Sequence, residues 1–256
     1  MSESKVLTRV THDGAVLRVV LNAPKGNILD AAMMRELTEV LVGPAKDTNL
    51  KALVLEGTGP HFSFGASVEE HAPNNVRAML LSFHELFRKL ASLALPTIAV
   101  VRGRCLGGGL ELASFASMLF ASEDAQLGQP EIRLGVIAPM ASLVLPMRVG
   151  QRAAERLLIS GETIDARKAL ALGLVDAVSA DPEKDAVHFI ETNLLPSSAS
   201  SLRFATRAAR RPINAALERD LPALESLYLE ELMQTHDAVE GIEAFMHKRP
   251  AKWRNA

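Results

Sequence analysis

The sequence predicts an α/β protein: a largely parallel sheet layered with helices, followed by an all-helical C-terminal region. Short apolar, β-branched runs alternate with amphipathic stretches and short loops, the pattern of βαβ units. From Pro182 onward only helical spacing of apolar residues remains. No repeat, low-complexity tract or long linker divides the chain. We therefore expect residues 1–195 to form the core and residues 196–256 to form a helical region attached to it.

The N-terminal elements have clear local signals. Asp13 and Gly14 separate two apolar runs at 6–7 and 15–21, which predicts a β-hairpin. Asp30 suits the N-cap of a helix that runs to about Val42. Residues 50–56 predict a buried strand. The apolar spacing of residues 75–93 predicts a helix.

The central stretch combines a buried strand at 98–101, five turn residues, the glycines Gly107 to Gly109 and a helix from Leu110. Glycine lets other groups approach the backbone closely and tolerates positive φ. The first N–H groups of the helix have no partner inside it and carry its positive dipole end. This predicts a site for a negatively charged oxygen, with Glu111 one turn away; a turn used only for tight packing is the alternative.

The remaining elements are predicted from spacing and caps. Residues 118–121 predict another short strand and residues 148–160 a helix. Asp165 caps a short helix that Gly173 ends. The C-terminal helices are expected at 184–194, 201–210, 213–234 and 239–247.

Composition excludes several classes of function. The 256 residues are 48% hydrophobic with a net charge of -2, which allows a large core and argues against nucleic acid or an anionic membrane as partner. Aromatic residues, at 4%, offer few base-stacking platforms. The single cysteine excludes an internal disulfide, and no histidine pair has metal-ligand spacing. Without a signal core or a transmembrane-length apolar run, we expect a cytoplasmic protein that holds no metal.

Common catalytic motifs do not fit this chain. A dinucleotide fingerprint at 103–109 fails because position 105 is cysteine, and no phosphate loop or Gly-Xaa-Ser-Xaa-Gly elbow is present. Cys105 follows Arg102 and Arg104 closely in sequence and could be an activated thiol, but a packed, inert cysteine is the expectation. Glu111 and Glu131 stand in apolar surroundings. Burial would raise the pKa values of both carboxyls and suit them to acid–base catalysis. The simpler alternative is that each is a negative charge favoured by the dipole at the start of a helix.

Several motifs in fixed order resemble one family. They include Gly65-Ala66-Ser67, the segment 106–113 around the glycines and the segment 128–135 around Glu131. Further matches lie at 21–25, 161–166, 171–176 and 240–250. Over essentially the whole chain, the sequence resembles the crotonase (enoyl-CoA hydratase/isomerase) superfamily.

The resemblance implies a crotonase-like spiral of ββα repeats with a C-terminal helical trimerisation region. It implies a homotrimer or a homohexamer built as a dimer of trimers. The substrate would be an acyl-CoA thioester whose carbonyl oxygen is bound by the N–H groups of Ala66 and Gly108. Glu111 and Glu131 would be the catalytic pair, and keeping both points to hydration. Coenzyme A enters as part of the substrate, and no other cofactor is expected.

The resemblance also implies contacts to the substrate. Lys25 would lie near the adenosine phosphates, and the backbone around Phe64 and Ala66 near the adenine. Phe245 and Lys248 would come from a neighbouring subunit. The acyl pocket is expected to involve the apolar residues Phe83, Phe87 and Met140.

Two departures from ordinary enoyl-CoA hydratases narrow the resemblance. Ser67 stands where an aspartate is common, and residues 137–142 replace a glycine-rich run. Together with residues 25–30, they resemble the cyclohexa-1,5-diene-1-carbonyl-CoA hydratases of anaerobic aromatic degradation. The alternatives are a short-chain enoyl-CoA hydratase, an isomerase or hydrolase, and a non-enzymatic RNA-binding homologue. The two glutamates and the lack of a basic patch weigh against the last.

Overall fold

The strands of the protein form two sheets. The computed structural model describes residues 4–23, 25–44 and 47–256; Pro24 of the 21–25 motif and Met1 to Glu3 of the N-terminus lie outside them. The described strands are β1 (Val6–Thr11), β2 (Val16–Leu21), β3 (Ala52–Gly57), β4 (Thr97–Val101), β5 (Arg104–Leu106), β6 (Met118–Ser122), β7 (Gln126–Gly128), β8 (Thr163–Asp165) and β9 (Ala177–Ser179).

Helices connect the strands and form the whole C-terminal region. The α-helices are α1 (Ala31–Val40), α2 (Val76–Leu93), α3 (Gly108–Phe115), α4 (Pro139–Val149), α5 (Gln151–Ser160), α6 (Ala166–Ala171), α7 (Pro182–Phe189), α8 (Ala199–Ala209), α9 (Arg211–Arg219), α10 (Leu221–Ser226) and α11 (His236–Met246). Short 3₁₀ turns lie at Glu69–His71, Pro130–Leu134 and Leu232–Gln234, and π-helical turns at Ile190–Leu194 and Leu227–Glu231.

The six-stranded sheet has the order β1-β2-β3-β4-β6-β9. β1 and β2 form the predicted antiparallel hairpin, and the pairs from β2 to β9 are parallel, as expected for βαβ units. The side chains of β4 are buried throughout, which is typical of a strand covered on both faces. The predicted layered α/β architecture is confirmed.

The sheet separates two apolar layers because successive side chains of a strand point to opposite faces. Leu53 and Leu55 of β3 belong to the main core, together with α1, α2 and α3. Val54 and Ile98 face the other side and pack with α7 in a smaller cluster. The apolar runs of the sequence therefore form strands that are buried on both faces.

The structure differs from the predictions where pairing partners are distant in sequence. The expected five-residue turn before Gly107 contains β5, which pairs with β7, and β7 pairs with β8, in a second sheet of three strands. Three-residue strands are too short to show an alternating pattern. The predicted helix 148–160 is divided because Gly150 has φ +76°, and the predicted helix 213–234 is divided into α9, α10 and two short turns.

The C-terminal helices share the main core rather than forming one of their own. Leu217 and Leu221 are buried in the main cluster, and α11 packs closely on the Pro130–Leu134 turn. A Cβ atom at Gly241 would lie 2.1 Å from the Leu134 carbonyl oxygen, so only glycine allows this approach. Within the described ranges, no helix combines the length and apolarity that a membrane span requires.

Candidate active site

Three loops meet beyond the carboxyl ends of β2, β3 and β4, where parallel α/β sheets commonly form sites. Asn27, in the first loop, links it to the second. Its buried amide nitrogen donates to the carbonyl oxygens of Thr58 (3.0 Å) and His61 (2.9 Å), and its amide oxygen accepts from the Ala23 N–H. The first two loops therefore have a fixed relation to each other.

The turn at Gly65 is held by hydrogen bonds on both sides. Ser63 Oγ donates to the Asn27 carbonyl oxygen at 2.8 Å and accepts from the Gly65 N–H at 3.0 Å. A parallel bridge joins Leu29 to Ala66, in which the Gly65 carbonyl and the Ser67 N–H pair with Leu29. Since the flanking groups make this bridge, the N–H of Ala66 points away from Leu29.

The Ala66 N–H lies beside the glycine turn that precedes α3. Gly107 has φ +53° and ψ -130°, a conformation that glycine adopts readily. A Cβ atom at Gly108 would lie 3.1 Å from the Ala66 nitrogen, and one at Gly65 would lie 3.1 Å from the Gly108 nitrogen. Gly108 is the first residue of α3, so its N–H has no acceptor within the helix. The two amides border one small space at a helix N-terminus.

Glu111 lies one turn into α3 and is buried, with 4% of the residue exposed. Its Oε1 accepts a hydrogen bond of 2.8 Å from the Ala141 N–H at the start of α4. Burial raises the pKa of the Glu111 carboxyl, and backbone hydrogen bonds from Ala141 and Met140 offset part of this rise. The carboxyl group thus has a fixed position and an increased affinity for a proton.

Glu131 approaches the same space from the Pro130–Leu134 turn. Its Oε1 would lie 2.6 Å from a Cβ atom at Gly107, so the carboxyl rests against the glycine turn. The Gln129 side-chain nitrogen, in the orientation that satisfies both groups, donates to Oε1 at 3.1 Å and to Oε2 at 2.9 Å. Burial, and next the charge of Glu111, raise the pKa of the Glu131 carboxyl. Two proton-binding groups therefore face one site.

The site opens into a cavity of about 480 Å³ with a mainly apolar wall. Glu111, Glu131 and the two amide-bearing residues line it together with Phe83, as predicted for this phenylalanine. Phe87 and Met140 do not form the wall. Both are buried in the core, and the Phe87 ring packs edge-to-face behind Phe83 with centroids 5.0 Å apart. The wall accepts an apolar group beside two carboxyls.

A groove continues from the cavity along the outer side of Phe64. Phe64, Ala66, Phe245 and Lys248 line this groove, and Phe245 also borders the cavity. Within a single chain, the packing of α11 places its C-terminal end at this groove. That Phe245 and Lys248 reach the site of a neighbouring subunit stays a prediction. Lys25 is exposed in the loop next to Gly26, whose Cα packs against the Phe64 ring.

Sequence reasoning missed Tyr228, His71 and Arg104 in the wall of the cavity. Tyr228 comes from the π-helical turn after α10, more than a hundred residues beyond Gly108. The signal that could have found it is its status as the only tyrosine in a chain poor in aromatic residues. Its position depends on how the C-terminal helices fold back over the core.

Other predicted reactive groups lie elsewhere or are inert. Cys105 is fully buried, and burial strongly raises the pKa of its thiol, so the expected packed cysteine is confirmed. Across the described part of the chain, no group of three or more His, Cys, Asp or Glu side chains could hold a metal ion.

Comparison with known proteins gives a consistent result. The family model for enoyl-CoA hydratase/isomerase matches residues 11–256. The chain is 48% identical to a cyclohexa-1,5-dienecarbonyl-CoA hydratase of Thauera aromatica, with the full length of both covered. It is 33% identical to the 2,3-dehydroadipyl-CoA hydratase of Escherichia coli over 94% of this chain and 95% of that one. A crystal structure of an enoyl-CoA hydratase from Mycobacterium avium superposes with a TM-score of 0.85 at 27% identity, covering 98% and 100% of the two chains.

Proposed function

The chain belongs to the enoyl-CoA hydratase/isomerase family, and we propose that it adds water to cyclohexa-1,5-diene-1-carbonyl-CoA. The product is 6-hydroxycyclohex-1-ene-1-carbonyl-CoA. The 48% identity to the Thauera aromatica hydratase over both full lengths supports this substrate. The observation that carries the chemistry is the pair of carboxyls, Glu111 and Glu131, beside two convergent backbone N–H groups in one apolar cavity.

The thioester carbonyl oxygen binds to the N–H groups of Ala66 and Gly108. When water attacks the β-carbon, negative charge moves to this oxygen, and both donors and the N-terminus of α3 stabilise it. Because the donors belong to backbone fixed by the Gly65 and Gly107 turns, they need no reorganisation as the charge develops. Removing one such donor typically reduces the rate by about 10²–10³.

The two glutamates handle the water and the proton. Glu111 orients the water and accepts its proton, since its carboxyl is fixed by the Ala141 N–H. Glu131 delivers a proton to carbon, since burial and its negative neighbour favour its protonated form. The raised pKa values mean that one carboxyl keeps a proton while the other is ionised, which is the state that the reaction needs.

A cyclic diene requires no further catalytic group. Attack at the β-carbon gives a dienolate, whose charge is shared between the thioester oxygen and the far end of the second double bond. The proton enters at that far carbon, and the remaining double bond moves into conjugation with the thioester. One pair of oxyanion donors therefore serves both ends, and the apolar wall around Phe83 suits the ring.

Coenzyme A follows the groove beside Phe64. The phosphates lie toward Lys25 and Lys248, two exposed lysines suited to an anionic group, and Phe245 covers the pantetheine side. No cofactor beyond the coenzyme A of the substrate takes part. The assembly is a homotrimer or a dimer of trimers, for which exposed apolar residues such as Phe204 (67%) and Ile159 (72%) offer contact surface. Sedimentation equilibrium measures the number of chains.

The deciding experiment compares two substrates and two variants. Purified protein is assayed with the cyclic dienoyl-CoA and with crotonyl-CoA, and we expect a higher kcat/KM for the cyclic substrate. Glu111→Gln and Glu131→Gln keep the side-chain shape and should each lower kcat by about 10²–10⁴. A preference for crotonyl-CoA would instead indicate a short-chain enoyl-CoA hydratase; several relatives that are about a third identical carry the name enoyl-CoA hydratase without a stated chain length. Activity that survives both substitutions would contradict hydration by this pair.

A further inference from the structure

Tyr228 is a buried polar residue that the chemistry described above does not use. Only 1% of the residue is exposed, and its hydroxyl has no hydrogen-bond partner among the residues that the structure describes. A buried hydroxyl without a partner is costly, so such groups commonly serve a ligand or an ordered water. Tyr228 lines the same cavity as Glu111 and Glu131.

Tyr228 shares the cavity wall with both carboxyls, and its hydroxyl bonds to neither. Burial, followed by the charges of Glu131 and Glu111, raises the pKa of the phenol, so the group stays a hydrogen-bond donor. No direct hydrogen bond joins it to either glutamate within the described residues. Polar groups that face each other beyond direct bonding distance are commonly bridged by a water or a substrate oxygen.

The segment that carries Tyr228 is held firmly in place. Tyr228 lies in the π-helical turn Leu227–Glu231, a geometry frequent at functional sites. One turn earlier, Glu225 accepts from Arg88 Nη2 at 2.9 Å and lies 2.8 Å from His84 Nδ1, both on α2. These contacts tie the turn to the helix that supplies Phe83, so the hydroxyl is presented at a defined place.

We propose that Tyr228 is a third catalytic residue whose hydroxyl donates a hydrogen bond to the oxygen that is added to the substrate. In the first stage this oxygen is the water between the glutamates. The water donates its two hydrogens to the carboxyl oxygens, accepts from Tyr228 and keeps one lone pair for the attack. Afterwards the oxygen is the product hydroxyl, and the same donor helps it to leave in the reverse reaction. This role rests on the proposed hydration.

Tyr228→Phe removes only the hydroxyl. Because the hydroxyl has no partner in the described residues, the melting temperature should stay the same or rise. We expect kcat for hydration to fall by about 10- to 100-fold with little change in KM, as for loss of one hydrogen bond in the transition state. Glu231→Gln is the matched control, since it changes an exposed side chain of the same π-helical turn and should leave kcat unchanged.

A spectroscopic test does not depend on turnover. Tyr228 is the only tyrosine, so protein labelled with ¹³C at the tyrosine ζ carbon gives one assignable signal. The signal should shift with 2-hydroxycyclohexane-1-carbonyl-CoA more than with cyclohexane-1-carbonyl-CoA, which differs only in lacking the hydroxyl. Equal shifts, or a Tyr228→Phe variant with kcat within twofold of wild type, would overturn the role of Tyr228. Wild-type protein inactive toward both enoyl thioesters would overturn the proposed function instead.

Discussion

Replacing Gly107 by alanine should show how strongly catalysis depends on the position of the Glu131 carboxyl, separately from any effect on the stability of the fold. A Cβ atom at this position would lie 2.6 Å from Glu131 Oε1, whereas ordinary contact begins at 3.4 Å, so the carboxyl must retreat by 3.4 − 2.6 = 0.8 Å. The group that must move is the end of a flexible side chain, which makes the shift cheap for folding. For catalysis, a misplacement of about 1 Å can cost about 10²-fold in rate.

The backbone of Gly107 adds a separate cost to stability. Its φ of +53° with ψ of -130° is rarely adopted by other residues, so alanine should lower the free energy of unfolding by about 1–3 kcal/mol. Gly150→Ala is the matched control: Gly150 also has positive φ, +76°, but a Cβ atom there would meet nothing within 4 Å. Both variants should lose similar stability, and only Gly107→Ala should lose activity.

The assay follows formation of the hydroxylated thioester by liquid chromatography under saturating substrate, and urea unfolding gives the stability of each variant. We expect kcat of Gly107→Ala to fall roughly a hundredfold, while kcat of Gly150→Ala stays near that of wild type. Two results would refute the reasoning. If Gly107→Ala keeps wild-type kcat, the position of Glu131 is not limiting. If Gly150→Ala loses as much activity, backbone strain rather than the carboxyl is responsible.

Two further predictions concern stability. The raised pKa of Glu131 means that the folded protein binds more protons than the unfolded chain above the ordinary glutamate pKa of about 4.3, so stability falls as pH rises through the folded pKa. Glu131→Gln removes this contribution. As the pH rises, the unfolding free energy of wild type should therefore fall relative to that of the variant. A difference between the two proteins that does not change with pH would contradict the raised pKa of Glu131. Arg18 is 3% exposed and pairs with Glu56 at 2.9 Å and Glu183 at 2.6 Å, so Arg18→Met should cost about 3 kcal/mol in urea unfolding by leaving the Glu56 carboxyl unpaired. A cost below about 1 kcal/mol would show that methionine packing compensates.

Elements that are stabilised by residues close to them in sequence were predicted from local sequence signals. Asp30 and Asp165 were predicted as N-caps, and each accepts a backbone N–H three residues on, from Met33 and Lys168. The buried run before Gly107 and the Asp13-Gly14 hairpin were likewise predictable from side-chain patterns. The short strands β5, β7 and β8 were not, because their stability comes from pairing with segments far along the chain rather than from their own residues.

The sequence by itself determined the α/β fold class, the family resemblance and the identity of Glu111 and Glu131 as the carboxyls of interest, because glycine-rich turns and isolated charges in apolar runs are visible without coordinates. Only the tertiary structure decided that both carboxyls face one cavity and share a raised pKa, since burial and mutual charge depend on what surrounds them. It also decided that Phe87 and Met140 lie behind the wall while Tyr228 lies in it. A side chain's place depends on how distant helices pack, and no local pattern encodes that packing.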